Sequence, residues 1–148
     1  MPSARLANAG DLGALLALFA ASDVSRSAAP GLAERIWSEM LAREGLAVFV
    51  SEAETSIVAT CMLITAPNLL RGGQQHGVIE SVATHPAFQG RGHGRAVIAA
   101  ALDEAWKRDC YHVLLQSGRA DPGVHHFYES CGFVPGLRTA YCARRPNT

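Results

Sequence analysis

Leu12, Leu15, Leu16 and Phe19 stand at i, i+3, i+4 and i+7, the spacing that puts four apolar side chains on one face of a helix. Asp11, just before them, is placed to cap that helix through its carboxylate. Ala33, Ile36, Trp37, Met40 and Leu41 repeat the stripe and predict a second helix that stops near Gly45. The pattern then changes: residues 46–51 and 56–65 are β-rich runs joined by the polar link Glu52-Ala53-Glu54-Thr55, which reads as a hairpin. Residues 67–75 form a loop. A third apolar run, 78–84, ends at His85-Pro86, because proline lacks the ladder donor and disfavours helix in the residue before it. Ile98, Ala101, Leu102, Ala105 and Trp106 mark the buried face of a long helix, with Asp103/Lys107 and Glu104/Arg108 as i,i+4 pairs on its wet side. A strand over 111–116, a short helix over 124–130 and closing strands over 133–144 complete an interleaved α/β pattern with no internal repeat.

Composition narrows this to one soluble domain over residues 1–148. The chain has 148 residues, 49% of them hydrophobic and 18% charged, enough to build a core and far from a disordered composition. Thirteen basic and thirteen acidic side chains cancel, which argues against nucleic acid or an anionic membrane surface as the main partner. The four cysteines lack C-x-x-C spacing, so a reduced, cytoplasmic setting is expected. The apolar stretch 12–21 is too short to span a bilayer, which takes ~20 residues, and lacks the basic flank of an export signal.

The segment richest in chemistry is Gln89-Gly90-Arg91-Gly92-His93-Gly94-Arg95, between a strand and a helix start. Glycines let a ligand approach the backbone, and free N–H groups at a helix start attract phosphate oxygens. Two familiar phosphate loops do not fit: one needs a Lys that this turn lacks, and G-x-G-x-x-G finds Arg95 where its last glycine belongs.

Residues 78–95, VIESVATHPAFQGRGHGR, resemble the acetyl-CoA-binding core of GNAT-type N-acetyltransferases, whose signature Q/R-x-x-G-x-G/A follows a strand; Gln89, Gly92 and Gly94 fill its fixed positions. Residues 126–133, HFYESCGF, resemble that family's second signature, F-Y-E-x-x-G-F. Within the family the core is similar to glucosamine-6-phosphate N-acetyltransferases and to small bacterial members of undefined substrate. The resemblance implies a mixed, largely antiparallel sheet splayed at a cofactor cleft and flanked by helices on both faces. It also implies acetyl-CoA as cofactor, a small-molecule amine as acceptor, and a homodimer. The backbone of Val82, Ala83 and Thr84 would pair with the pantetheine arm, and the N–H groups of Gln89, Gly90, Arg91, Gly92, His93, Gly94 and Arg95 would hold the pyrophosphate. Charge halves agree with this: residues 1–89 carry 5 basic and 8 acidic side chains, residues 90–148 carry 8 and 5, and CoA is a polyanion. One position departs from the family, Val124 standing where an asparagine often bonds the pantetheine.

Transfer of acetyl from a thioester to an amine needs a neutral amine and a proton for the leaving thiolate. Tyr128, the F-Y-E tyrosine, is the candidate general acid; its other reading is a packed aromatic with a bonded hydroxyl. Glu80, inside the run 78–84, is read as a desolvated carboxylate with a raised pKa, serving either as the base or as a buried acid bound to a local donor. Asn68 and Arg71 suit a polar or anionic acceptor if their loop reaches the site, and are otherwise solvated loop residues. His93 and His125 are read as liners of the phosphate and adenine side or as packing and surface residues. No His, Cys or carboxylate spacing makes a metal site, and Cys131 is read as a small hydrophobe. The leading reading is therefore an acetyl-CoA-dependent N-acetyltransferase working through a ternary complex. The alternatives are a non-catalytic CoA- or acyl-CoA-binding regulatory module and an unrelated nucleotide-binding enzyme.

Overall fold

In a computed structural model, which describes residues 1–147, five strands form one sheet in the order β1-β2-β3-β4-β5. They are β1 (Arg5–Leu6), β2 (Leu46–Ala53), β3 (Ser56–Ala66), β4 (Gln75–Thr84) and β5 (Cys110–Leu115). All neighbours are antiparallel except β4 and β5, which run parallel. The four helices are α1 (Leu12–Ala21), α2 (Pro30–Ala42), α3 (His93–Lys107) and α4 (Pro122–Ser130). The chain divides into two compact units, Met1–Leu115 and Gln116–Thr148; the whole sheet and α1 to α3 belong to the first.

Strand alternation sorts the sheet into two faces. Val48 and Val50 pack with Leu15 and Leu18 of α1 and Trp37 of α2. Phe49, Ser51 and Cys61 belong to the other face, where Ser51 meets His93 and the Cys61 thiol donates to Val97 O at 3.3 Å in α3. Because both faces are covered, residues 57–61 of β3 are buried without a break, and such strands read as continuous apolar runs rather than alternating ones. α3 supplies Val97, Ile98, Ala101 and Ala105; the two alanines let it lie close to the sheet. Trp106, expected on that buried face, is instead 52% exposed.

Several local expectations are refined. The β2–β3 connection is a two-residue turn, Glu54-Thr55, with φ of 53° and 75°, so β2 runs past its predicted end to Ala53 while β3 begins at Ser56 as expected. Asp11 does not cap α1: its carboxylate accepts from Arg5 at 2.8 and 3.0 Å and from Asn8 N at 2.8 Å. A short 3-10 turn, Ala9–Asp11, starts that segment and is capped by Asn8. Gly45 has φ +82°, and a Cβ there would stand 2.5 Å from Thr65 O, so only glycine fits where Thr65 N reaches back to Gly45 O. The closing strands expected over 133–144 do not form, and residues 131–147 contain neither helix nor strand. The apolar residues on either side of Pro135-Gly136 suit strands, but the described residues of the second unit contain no strand with which they could share a ladder.

Candidate active site

The site elements of the first unit begin on β4. Its parallel partner β5 accompanies it only as far as the pair Ile79–Leu115, so on that side residues 80–84 run on without a neighbouring strand. On the other side β3 continues to pair, Thr60 with Ala83 and Ala59 with Thr84. Between Met62–Glu80 and Thr60–Ala83 the register shifts, and Ser81 takes φ +55°. This is a β-bulge, two residues of β4 opposite one of β3, which turns the strand where pairing with β5 stops. The bulge also breaks the alternation, so Glu80 and Ala83 share a face although they are three residues apart. Val82, Ala83 and Thr84 thus lie on a one-sided strand, the arrangement that β-augmentation by an extended ligand requires.

After Thr84 the chain makes a 3-10 turn, Pro86–Phe88, whose first residues are tied by Ala87 N donating to His85 Nδ1 at 3.1 Å. Gly90 and Gly92 then adopt φ of 74° and 93°, left-handed values that glycine tolerates best. Nothing lies within 4 Å of where a Cβ of Gly90 would be, and the nearest atom to one on Gly92 is Pro2 Cγ at 3.4 Å. Gly92 is the N-cap of α3 and offers no side chain to the helix start. The first N–H groups of an α-helix have no intrahelical acceptor, so this end presents donors and the positive pole of the helix dipole. Gln89 and Arg91 are exposed beside it, the Arg91 guanidinium lying 5.1 Å from the Phe88 ring centroid.

His93 turns the other way. Its ring is 8% exposed, and its Nδ1 lies 2.8 Å from Ser51 Oγ, which donates to Ser3 O at 2.7 Å. A serine has one proton to give, so Oγ accepts from Nδ1–H and the tautomer is set. The His93 side chain therefore anchors α3 to β2, leaving its backbone to the turn.

The desolvated carboxylate expected at position 80 is not found: Glu80 is exposed. It pairs with Met62 just before the bulge, where β4 loses its cover. Asn68 and Arg71 lie at the other end of the strand. Asn68 accepts from Leu70 N at 3.1 Å and borders a hollow of about 360 Å³ with Glu44, Gln75 and Arg108, whereas the Arg71 guanidinium is 5.0 Å from the Tyr111 ring centroid.

A larger cavity, about 500 Å³, opens between α1, α2 and the sheet. Leu12, Leu15, Leu16 and Phe19 line it from α1, and Ala33, Ile36, Trp37 and Met40 from α2. Residues 24–28 close one side, and β4 contributes Ser81 and Ala83. The sequence pointed to the first two helices and the loop at Pro67 as the acceptor wall; the helices do line this cavity and the loop does not. That their stripes border open space was not legible, because an apolar helix face looks the same whether protein or ligand fills the space beside it. Cys61 borders it along β3, but its thiol turns to the α3 face, where burial pushes its pKa up to about 12 and makes it a poor nucleophile. No group of three or more His, Cys, Asp or Glu side chains suited to a metal occurs among the described residues.

The second unit centres on α4, whose N-terminus is capped by Asp121 accepting from Gly123 N at 2.9 Å. His125 Nε2 donates to Arg119 O at 2.8 Å, a bond that holds the preceding turn against the helix. Tyr128 is half-buried between Phe127 and Phe133, at ring-centroid distances of 5.3 and 6.3 Å. Val124 is half-buried on the same helix.

Known proteins agree with this architecture. The model of the acetyltransferase (GNAT) family matches residues 14–133. A glucosamine 6-phosphate N-acetyltransferase from Trypanosoma brucei brucei is 33% identical over 98 residues, 65% of this chain and 65% of its own length. The L-amino acid N-acyltransferase MnaT of Escherichia coli (strain K12) is 38% identical over 64 residues, 42% of this chain and 36% of its own. The chain thus spans less than two thirds of each of these relatives. Among solved structures, a protein from Agrobacterium tumefaciens str. C58 assigned as an acetyltransferase superposes with a TM-score of 0.88 at 40% identity, over 97% of this chain and 99% of that one. With a family model covering most of its length and a solved acetyltransferase-type structure superposing over nearly all of it, the chain belongs to the GNAT family of acetyltransferases.

Proposed function

We propose that the protein is an acetyl-CoA-dependent N-acetyltransferase that moves an acetyl group to a primary amine of a small molecule by direct attack in a ternary complex. The observation that carries this reading is the glycine turn at positions 90 and 92, which opens the uncapped start of α3 directly after a strand that is paired on one side only. These residues suit a long anionic thiol ester: the N–H groups of 89–95 hold its diphosphate, and the free edge of Val82, Ala83 and Thr84 aligns its amide arm.

Acetyl-CoA, when bound, supplies the acetyl group already activated as a thioester. Tyr128, assigned by its place in the F-Y-E motif, gives its phenolic proton to sulfur as the C–S bond opens and the C–N bond forms; an ordinary phenol, with a pKa of ~10, is a suitable donor to a departing thiolate. Glu80 takes the proton that the amine must lose, through water, since its carboxylate is exposed at the end of the covered part of β4. Mixing the protein with acetyl-CoA and a panel of amino sugars, amino acids, polyamines and apolar amines, and following free thiol, tests the proposal. Amine-dependent thiol release is expected. CoA binding without release for any amine would instead make the chain a CoA-binding regulator.

A further inference from the structure

We infer that the acceptor is a primary amine carried on an apolar body, aromatic or branched aliphatic, seated in the cavity between α1, α2 and β4; this deepens the N-acetyltransferase reading and rests on it. Two features of the wall support the assignment. First, the lining is dominated by Leu, Ile, Val, Met, Phe and Trp side chains, contains no Asp or Glu, and has Arg26 as its one charged member. A polyhydroxylated sugar would leave most of its hydroxyls without partners there, at the cost that any buried unpaired polar group carries. A polycation would find no carboxylate. A single amine on an apolar body meets neither obstacle, and a wall without acidic groups favours its neutral form, the one that attacks.

Second, Trp37 lines the cavity at 6% exposure, and its indole Nε1 has no hydrogen-bond acceptor among the described residues. That N–H is itself out of reach of solvent, so what Trp37 offers a bound molecule is the apolar surface of its ring, which suits an apolar body. The volume, about 500 Å³, lies within the ~300–1,000 Å³ of small-molecule sites. The cavity touches β4 at Ser81 and Ala83, the stretch whose open edge is assigned above to the amide arm, so an amine held there faces the end of β4 that receives the thioester.

The chain has two tryptophans, and in a Trp106→Phe variant the fluorescence reports on Trp37 alone. Titration of that variant with 2-phenylethylamine and with glucosamine 6-phosphate is expected to give a saturable change with the first at a concentration at least ten-fold below any seen with the second. Adding Val24→Gln and Ile36→Gln, each 38% exposed in the wild-type chain and so tolerable to the fold, should weaken the apolar amine at least ten-fold while leaving CoA affinity by calorimetry within two-fold. No response to 2-phenylethylamine, tighter binding of the sugar phosphate, or indifference to the double substitution would overturn the inference. Thiol release with the sugar phosphate alone would overturn it and leave N-acetyl transfer standing. Absence of CoA binding in the calorimeter would strike the parent reading instead.

Discussion

At the scale of single residues, Gly92 and Tyr128 carry the sharpest expectations. Gly92 holds φ 93°, a side chain there would touch Pro2, and the proposed function brings a diphosphate to the same turn. Gly92→Glu adds backbone strain and a negative charge at the donor end of α3, and calorimetry should show CoA affinity reduced at least 100-fold in a protein whose circular dichroism still reports the fold. Tyr128→Phe removes one hydroxyl and keeps the ring between Phe127 and Phe133. A general acid is worth about 10²–10⁴ in rate, so kcat should fall by about that factor while CoA affinity stays within a few-fold. An unchanged kcat would move the proton to another donor. The residue scale is also where sequence reasoning erred most plainly. Glu80 stands in an apolar run, and desolvation was the natural expectation. The bulge at Ser81 and the end of β5 leave its carboxylate in water.

Among the elements, the helices were legible because their periodicity is local: α1 and α2 were marked by stripes, and α3 by its glycine start and apolar face. The hairpin was located, but its turn was not, since Glu54-Thr55 carries none of the Asn-Gly chemistry that two positive φ values favour. The fold imposes that conformation on a β-branched residue, a strained arrangement. Thr55→Gly is therefore expected to stabilise the protein by about 0.5–1 kcal/mol, read as a higher denaturant midpoint at an unchanged slope. The mistaken strands over 133–144 teach the converse lesson. Apolar residues flanking a turn form strands only when another strand is there to receive their hydrogen bonds, and that is not a local property.

Over the molecule as a whole, the N-terminal segment is fastened to the sheet by one cation between two acids. Arg5 of β1 holds Asp11, whose side chain is 10% exposed, and also Glu52 of β2, each at 2.8 Å. Its guanidinium hydrogen bonds hold the Asp11 carboxyl below the usual range, and do the same for the exposed Glu52. A carboxylate whose folded pKa is depressed contributes stability that is complete above its unfolded pKa, about 4, and is lost as pH falls through the lower folded value. Asp11→Asn should thus cost about 1–3 kcal/mol near neutral pH, and the difference from wild type should shrink below about pH 4 in denaturant titrations run at several pH values.

By itself the sequence determined the order of elements from α1 to α4, the glycine turn with its helix, the two family motifs and the apolar stripes, because each depends on spacings within a few residues of one another. Tertiary structure alone decided that β4 outruns β5, that the Ser81 bulge exposes Glu80, that His93 turns inward to Ser51, and that Asn68 and Arg71 lie away from the large cavity. It also decided that the stripes of α1 and α2 border open space. Each of these depends on where a strand ends relative to its neighbour or on how two surfaces fail to meet. Such distances are set between segments far apart along the chain, where no local pattern records them.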